Sequence, residues 1–320
     1  MKPPYDINSA ILQLVASISE KIGAINASHL YKPPTELRKK NRIKTIQSSL
    51  EIEGNTLTEE QITALLDNKR ILAPQKDILE VKNAIEVYQQ LESFNVFELK
   101  SLLKAHSILM AGLIESPGKL RATTVGIVKG NKVAHIAPPG EMVNGLIKNL
   151  LTYLKTDNDI ALIKSCVFHY EFEFIHPFID GNGRMGRFWQ TLILKNYSPI
   201  FEFIPIETLI KERQQEYYNA LSRSDKQGHS TCFIAFMLQI ILLALEETLA
   251  SQNINLTSTD RIELFKSNIK SEAFTRQDYL RNYKEISAAT ASRDLKEAVE
   301  KNILIKTGDK RTTKYKYKAQ

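Results

Sequence analysis

The twelve residues 176–187 constrain this chain more than any other stretch, because they place a short polar turn between two strongly apolar segments. Gly181 and Gly183 carry no side chain, so the backbone of this turn can approach a ligand closely. The sequence therefore predicts two buried segments that hold a polar turn between them. The apolar residues that flank the turn are Phe172, Phe174 and Ile175 before it, and Phe188, Trp189, Leu192 and Ile193 after it.

The same turn has the charge pattern of an anion site. A helix that begins near Asn182 would present free N–H groups and the positive end of its dipole to an anion. Arg184 and Arg187 are three residues apart, so they would share one face of that helix and could bind the same anion. Taken singly, a structural histidine, an Asp-Gly turn and a solvated arginine pair are all common. Their coincidence in twelve residues favours a phosphate-binding site.

A family resemblance rests on these residues. The run His-Pro-Phe-Ile-Asp-Gly-Asn-Gly-Arg-Met-Gly-Arg resembles the signature of the Fic family, His-x-Phe-x-(Asp/Glu)-Gly-Asn-Gly-Arg-x-x-Arg, at every defined position. The resemblance implies a helical enzyme that transfers AMP from ATP to a hydroxyl side chain. It implies ATP and Mg²⁺ as cofactors, and as acceptor a Ser, Thr or Tyr of a target protein or of the enzyme itself.

The resemblance also implies the chemical roles at the start of the motif. His176 would be the general base that takes the hydroxyl proton, which suits an imidazole because its ordinary pKa lies near neutrality. Asp180 would hold Mg²⁺ against the α- and β-phosphates, since this ion prefers oxygen ligands. Phe178 would point into the core and anchor the loop.

The rest of the motif would bind the phosphates. The backbone around Gly181, Asn182 and Gly183 would cradle them, and Asn182 would add its side-chain amide. Arg184 and Arg187 would hold the β- and γ-phosphates and orient the nucleotide. Positioning and charge stabilisation would then carry the reaction.

A second segment, residues 48–55, resembles the family's inhibitory motif, (Ser/Thr)-x-x-x-Glu-(Gly/Asn), with Ser49, Glu53 and Gly54 in register. A helix over residues 41–50 would end at Gly54. Its dipole would disfavour the nearby Glu53 carboxylate unless a cation offset the cost. In the family that cation is the second arginine, here Arg187, and the pair denies the γ-phosphate its ligand. Inhibition would act within the molecule or across a homodimer.

Residues 125–128 and 133–136 predict a β-hairpin with Gly130 and Asn131 at its tip. In the family such a flap lies beside the active site, where the backbone of the target can add as a strand. Residues 117–121, Pro-Gly-Lys-Leu-Arg, resemble the family's lead-in to this flap. Tyr217 or Tyr218 would stack on adenine or serve as a core aromatic, and His169 is expected to pack inside its helix.

The excess positive charge lies in the last sixty residues. Residues 261–320 hold 15 Lys and Arg against 8 Asp and Glu, a net charge of +7, which equals the net charge of the whole chain. The pattern predicts helices at 261–270, 275–281 and 287–301, then two strands that turn at Gly308-Asp309. This order resembles a winged helix-turn-helix module, which binds either DNA or another protein. The residues that would reach a groove are Thr290, Ser292 and Arg293, and those that would contact phosphate are Lys310, Arg311 and Lys314.

The expected fold is mainly α. An N-terminal helical region with the inhibitory motif (1–98) precedes a Fic-type catalytic core with a β-hairpin flap (99–250). A polar linker (251–260) then leads to a winged helix domain (261–320). Cys166 and Cys232 lie among apolar residues without metal-site spacing, which is typical of the reducing cytoplasm. The start of the chain has no apolar core, and residues 232–245 are interrupted by Gln239, so we expect a core helix and no membrane partner.

Three alternatives stay open at this stage. The fold could use another donor, such as a different nucleotide or a phosphocholine donor. Glu53 could position water and remove AMP from a target. In a different class, the chain would be a DNA-binding regulator whose core senses nucleotide.

Overall fold

A computed structural model describes residues 2–27, 35–129, 132–251, 257–269, 273–283, 286–309 and 312–318. By Cα proximity the chain divides into two compact units, Met1–Ala24 with Lys39–Glu247, and Ile25–Arg38 with Thr248–Gln320. The N-terminal region that carries the inhibitory motif thus belongs largely to the same unit as the catalytic motif. The α-helices that the structure describes before residue 257 are α1 (Ser9–Ala27), α2 (Thr35–Glu51), α3 (Glu59–Leu66), α4 (Gln75–Gln89), α5 (Leu99–Leu109), α6 (Gly140–Thr156), α7 (Ala161–Ile175), α8 (Asn182–Tyr197), α9 (Ile206–Glu212), α10 (Gln214–Gln227) and α11 (Thr231–Ser251).

Local signals explain where the inhibitory segment begins and ends. Helix α2 is longer than the predicted helix at 41–50 and ends at Glu51. Gly54 follows shortly after with a φ of 93°, a conformation that glycine adopts without steric cost. Helix α3 then begins with a capping box, in which Thr58 accepts from Gln61 N–H and Gln61 reaches back to Thr58 N–H. The inhibitory turn is therefore bounded by two well-defined helices.

Helices α7 and α8 pack against each other and carry the catalytic turn between them. Phe168 and Phe172 on α7 and Phe188 and Trp189 on α8 are all within 1% of full burial. Each such aromatic contributes roughly 2–3 kcal/mol of hydrophobic stabilisation. The turn is thus mounted on a rigid apolar pair, as the sequence predicted.

Helix α11 is long and apolar enough to span a membrane by length and composition. In this structure Phe233, Met237, Leu238 and Ile241 are completely buried. Phe233 packs edge-on against the ring of His169, so this face of the helix contributes to the protein core.

The predicted hairpin is present as β1 (Gly126–Lys129) and β2 (Lys132–Ile136), which pair antiparallel with an irregularity between Ile127 and Val128. Its predicted tip, Gly130 and Asn131, lies outside the described residues. Its base is tight, because a Cβ atom on Gly140 would lie 2.0 Å from the carbonyl oxygen of Ala122. Only glycine fits this position.

The second unit contains the three helices and two strands that the sequence predicted for its last sixty residues. They are α12 (Ser258–Asn268), α13 (Arg276–Asn282), α14 (Ala288–Glu300), β3 (Leu304–Thr307) and β4 (Lys314–Tyr317). Strands β3 and β4 pair antiparallel around Gly308, whose φ is 75°. Of the predicted linker 251–260, Ser251 ends α11 and residues 258–260 already belong to α12, which Thr257 caps. Lys310 and Arg311 lie outside the described residues.

A bidentate ion pair is buried in this second unit. The guanidinium of Arg261 donates to both oxygens of Asp294, at 2.6 and 2.8 Å, and the hydroxyl of Tyr279 donates to the same carboxylate at 3.1 Å. Asp294 is 1% exposed. A buried carboxylate needs such partners, because removing it from water without them is costly.

Candidate active site

The catalytic turn is built from two residues with left-handed backbone. His176 ends α7 with φ 49° and ψ 61°, and Gly181 precedes α8 with φ 83°. A left-handed conformation is unusual for a residue with a side chain, so the surroundings must hold His176 in place. The two left-handed residues bracket the loop, and α8 begins with its N–H groups directed at the end of the turn.

Asn182 locks the loop from inside. Its Oδ1 accepts from the N–H of Phe178 at 2.8 Å, and its Nδ2 donates to the carbonyl of Phe178 at 2.9 Å. Both ends of the amide are thereby engaged with backbone. The sequence interpretation gave this amide to the phosphates, whereas the structure uses it to shape the loop and leaves the backbone N–H groups for an anion.

Phe178 points into the core, as predicted, and stacks on a histidine that the sequence analysis did not single out. The rings of His106 and Phe178 are parallel within 4°, with centroids 3.6 Å apart. Nδ1 of His106 accepts from Gly118 N–H at 2.8 Å, so Nε2 carries the proton and donates to the carbonyl of Asp180 at 3.0 Å. Burial lowers the pKa of His106 to about 4. A neutral imidazole therefore fixes the backbone at Asp180.

The side chain of Asp180 faces solvent and is more than half exposed. Its Oδ1 accepts from Gly181 N–H at 2.6 Å and lies 3.5 Å from the guanidinium of Arg184. Within the described part of the chain, no cluster of three or more metal-ligating side chains is present. An accessible single carboxylate fits Mg²⁺ that arrives with a nucleotide, because this ion commonly combines one or two carboxylates with phosphate oxygens and water.

The inhibitory and catalytic motifs meet directly. Oε1 of Glu53 accepts from Nη2 of Arg187 at 2.7 Å, and Arg187 also donates to the hydroxyl and the carbonyl of Ser49, at 3.1 and 2.9 Å. Burial by itself would lower the pKa of Arg187, but the charge of Glu53 outweighs it and the pKa is raised. All these contacts form within one chain.

Gly183 provides the space that Glu53 occupies. A Cβ atom on Gly183 would lie 2.4 Å from Oε1 of Glu53 and 3.1 Å from Nη1 of Arg187. The carboxylate therefore rests against the first turn of α8, where the free N–H groups and the helix dipole favour an anion. Glu53 occupies the kind of position that a phosphate group would need.

The other motif arginine, Arg184, is held by Glu80 of α4. Its Nη1 donates to Oε1 of Glu80 at 3.2 Å, and both side chains are almost fully buried. The second oxygen of Glu80 accepts from Asn55 at 2.8 Å, and Asn55 follows Gly54 of the inhibitory turn directly. Nε of Arg184 makes no hydrogen bond within the described residues. This guanidinium is thus buried, and Glu80 and Asp180 lie at its two terminal nitrogens.

A buried polar layer lies behind the arginines. Nδ1 of His169 donates to Gln190 at 2.6 Å, and Nε2 accepts from the hydroxyl of Tyr217 at 3.0 Å. The packing role expected for His169 is thus what the structure shows. Tyr217 is a core residue with 1% exposure, whereas Tyr218 is half-buried and accepts from Gln214, which also donates to the carbonyl of Ile52. Of the two tyrosines, only Tyr218 is partly exposed.

The sequence predicted the residues of both motifs but not the residues that hold them in place. Glu80 and His106 are distant from the motifs in sequence, and a single glutamate or histidine on an amphipathic helix gives no signal of its role. The contacts arise only when α4 and α5 fold against the catalytic turn.

Comparison with known proteins agrees with this geometry. The model of the Fic/DOC family matches residues 96–194. A protein of Aquifex aeolicus named "Probable protein adenylyltransferase" is 32% identical over 151 residues, which cover 46% of this chain and 45% of that protein. The protein adenylyltransferase Fic of Drosophila grimshawi is 28% identical over 242 residues, covering 70% of this chain and 46% of that protein. The chain thus spans about half the length of these two relatives.

Solved structures extend the match to the whole chain. The crystal structure of a Fic family protein from Desulfovibrio desulfuricans shares 39% identity, covers 100% of this chain and 99% of its own, and has a TM-score of 0.77. Fic-1 of Caenorhabditis elegans has the same fold at 19% identity, with a TM-score of 0.62 over 76% of this chain. With its complete catalytic motif and a relative of this similarity along its full length, the chain belongs to the Fic family.

Proposed function

We propose that this protein is an adenylyltransferase that transfers AMP from ATP to a Ser, Thr or Tyr hydroxyl of a target protein or of itself, and that Glu53 inhibits it. The observation that carries the proposal is the 2.7 Å pair between Glu53 and Arg187, set against Gly183 at the start of α8. A carboxylate is bound where a nucleotide phosphate would be bound, by groups suited to either anion.

The residues support in-line transfer. His176 would take the proton of the acceptor hydroxyl while its oxygen bonds to the α-phosphorus of ATP. The bond from that phosphorus to the α,β-bridging oxygen breaks, and pyrophosphate leaves. Asp180 would hold Mg²⁺, which neutralises charge on the phosphates. Arg184 and Arg187 would orient the β- and γ-phosphates, so the chain itself positions the reactants and stabilises charge.

Two enzymatic alternatives keep the same site. Glu53, once separated from Arg187, could orient a water molecule that removes AMP from a modified protein. A different donor would need a different set of contacts, whereas Arg184 and Arg187 together suit a triphosphate. We therefore favour ATP as the donor.

The deciding experiment follows transfer of label from α-³²P-ATP with Mg²⁺ by the wild type, Glu53→Gly, His176→Ala and the double variant. We expect strong self-labelling or target labelling by Glu53→Gly alone, and none once His176 is also replaced. Equal labelling by Glu53→Gly and by the double variant would reject His176 as the base. No label in any variant, despite ATP binding, would reject AMP transfer.

A second candidate function concerns the second unit, for which we propose DNA binding through a winged helix. Arg293 and Lys296 of α14 are exposed, and Lys314 and Lys316 point to solvent from the same face of β4. Exposed cations on a helix and a strand of the same unit are suited to phosphate contacts. This observation favours nucleic acid over a purely apolar docking partner.

The test is fluorescence anisotropy with random-sequence duplex DNA at several salt concentrations. We expect affinity that falls steeply with salt and weakens several-fold in Lys314→Glu/Lys316→Glu. The control pair Lys148→Glu/Lys155→Glu, exposed on α6, should have little effect. Binding that is independent of salt, or equal in both double variants, would reject a phosphate-contacting wing.

A further inference from the structure

Arg121 lies outside both motifs, yet its guanidinium donates four hydrogen bonds beside the catalytic turn. It is 3% exposed. Its Nε donates to the carbonyl of His176 at 2.7 Å, and its Nη2 donates to the carbonyl of Ile175 at 3.0 Å. Among the described residues no carboxylate pairs with it, so backbone oxygens satisfy this buried charge.

Two of these oxygens belong to the end of α7. The last carbonyls of a helix have no partner within the helix, and they form the negative end of its dipole. A cation at this position satisfies them and stabilises the charge. Because the helix ends at His176, the group that caps it also fixes the left-handed backbone of the proposed base. The N–H of Arg121 adds a bond to the carbonyl of Pro177, at 2.9 Å.

The other end of the guanidinium holds the flap. Nη1 donates to the carbonyl of Thr123 at 2.5 Å, and Nη2 donates to the carbonyl of Pro138 at 2.7 Å. These two carbonyls lie on the segments that enter and leave the hairpin β1–β2. Two of the five guanidinium N–H groups thus bind the backbone at His176, the proposed general base, and its neighbour, and two more bind the segments that flank the flap. A lysine could not bridge them, because its single nitrogen lacks the planar fork of arginine.

We infer that Arg121 is a positioning residue for AMP transfer, which fixes the distance between His176 and the flap that would present the acceptor hydroxyl. This inference rests on the proposed function. It differs from nucleotide binding, because the phosphate-binding groups lie on the far side of the turn, from Asp180 onward. Replacement of Arg121 should therefore slow AMP transfer without lowering the affinity for ATP. Displacement of reacting groups by about 1 Å costs on the order of 100-fold in rate.

The test uses the full chain with Glu53→Gly, to which Arg121→Lys or Arg121→Met is added. Lys164→Met is the matched control, since Lys164 donates to two backbone carbonyls, Leu154 and Asp157, both at 2.9 Å, away from the site. Binding of α,β-methylene-ATP gives the fraction of competent sites and the affinity. We expect kcat per competent site to fall about 30-fold or more in both Arg121 variants, with affinity for the analogue within twofold. The control should keep its kcat.

Two readouts do not need activity. Hydrogen exchange of residues 122–125 and 137–138 should accelerate in the Arg121 variants, and the ¹³C-edited imidazole signals of His176 should shift. Unchanged kcat, or a loss of analogue affinity that parallels the loss of kcat, would overturn the inference. If the Glu53→Gly parent itself transfers no AMP, the proposed function fails. The inference then survives only as a structural coupling, and unchanged exchange and unchanged His176 signals would reject that too.

Discussion

The Glu53 carboxylate binds a guanidinium that is almost completely buried, since the Arg187 side chain is 1% exposed whereas that of Glu53 is 35% exposed. The two partners therefore differ in what they lose on separation. The Glu53 side chain can rotate into solvent, but Arg187 then keeps a buried charge that needs a new anion. A nucleotide phosphate can supply that anion, so under the proposed function inhibition and substrate binding would share one cation.

We predict that Glu53→Gln lowers the free energy of unfolding by about 1–3 kcal/mol. This is less than for a fully buried ion pair, because solvent screens the partly exposed Glu53 carboxylate. The amide removes the charge opposite Arg187 without changing the shape of the side chain. Mg·ATP should then stabilise the variant more than the wild type, because a phosphate replaces the missing charge. Denaturant unfolding with and without Mg·ATP measures both effects.

Glu51→Gln is the matched control for this change. Glu51 is the last residue of α2, two positions before Glu53. It is also 35% exposed and pairs with Lys211 at 2.9 Å. We expect it to cost well under 1 kcal/mol and to leave the response to Mg·ATP unchanged. Equal stabilisation of both variants by the nucleotide would contradict the shared-cation model.

A methyl group at Gly183 should interfere with any anion bound at the first turn of α8. We predict that Gly183→Ala reduces AMP transfer at least tenfold when added to Glu53→Gly, because the new Cβ occupies the site of the carboxylate oxygen. Initial rates at saturating and limiting ATP measure the loss. Gly145→Ala, in an open position within α6, should keep its rate and gain about 1 kcal/mol of stability. Full activity of the Gly183 variant would show that the phosphates lie elsewhere.

The pH dependence of stability should reveal two buried neutral histidines. Burial lowers the pKa of His169 to about 3 and that of His106 to about 4. Both values lie below the ordinary value near 6.5, so the unfolded chain binds protons that the folded chain does not. Their contribution to stability is complete above about pH 6.5. It is lost as the pH falls towards 4 for His106 and towards 3 for His169, by up to about 1.4 kcal/mol per pH unit for each histidine.

Urea unfolding of the wild type and His169→Gln at several values between pH 7 and pH 5 tests this expectation. The variant lacks one of the two titrations, so its stability should fall less steeply below pH 6.5 than that of the wild type. Parallel pH profiles would mean that His169 does not stay neutral in the folded protein.

The sequence predicted what is local and left out what is tertiary. The helix that ends before Gly54 and the strands on either side of residues 130–131 follow from short-range preferences. The two motifs carry their own spacing, so the pairing of Glu53 with Arg187 was accessible. The sequence did not predict the contacts of Glu80, His106 and Arg121. Glu80 pairs with the side chains of Arg184 and Asn55, whereas His106 and Arg121 bind backbone carbonyls, and all these partners come close only in the folded chain. It also assigned the Asn182 amide to a ligand, whereas the neighbouring backbone of Phe178 satisfies it.

The last unit offers a separate test, because the chain's single tryptophan, Trp189, lies in the other unit. We predict that Asp294→Asn destabilises the last unit by about 3 kcal/mol, since it leaves Arg261 and Tyr279 without their buried carboxylate. Hydrogen exchange of residues 258–269 and 288–307 should accelerate, while the unfolding transition followed by Trp189 fluorescence should stay within experimental error of the wild type. Glu300→Gln, which removes an exposed pair with Lys296 at 3.7 Å, should change neither signal. A shift of the tryptophan transition in Asp294→Asn would show that the two units unfold together, and the fold would then behave as one cooperative body.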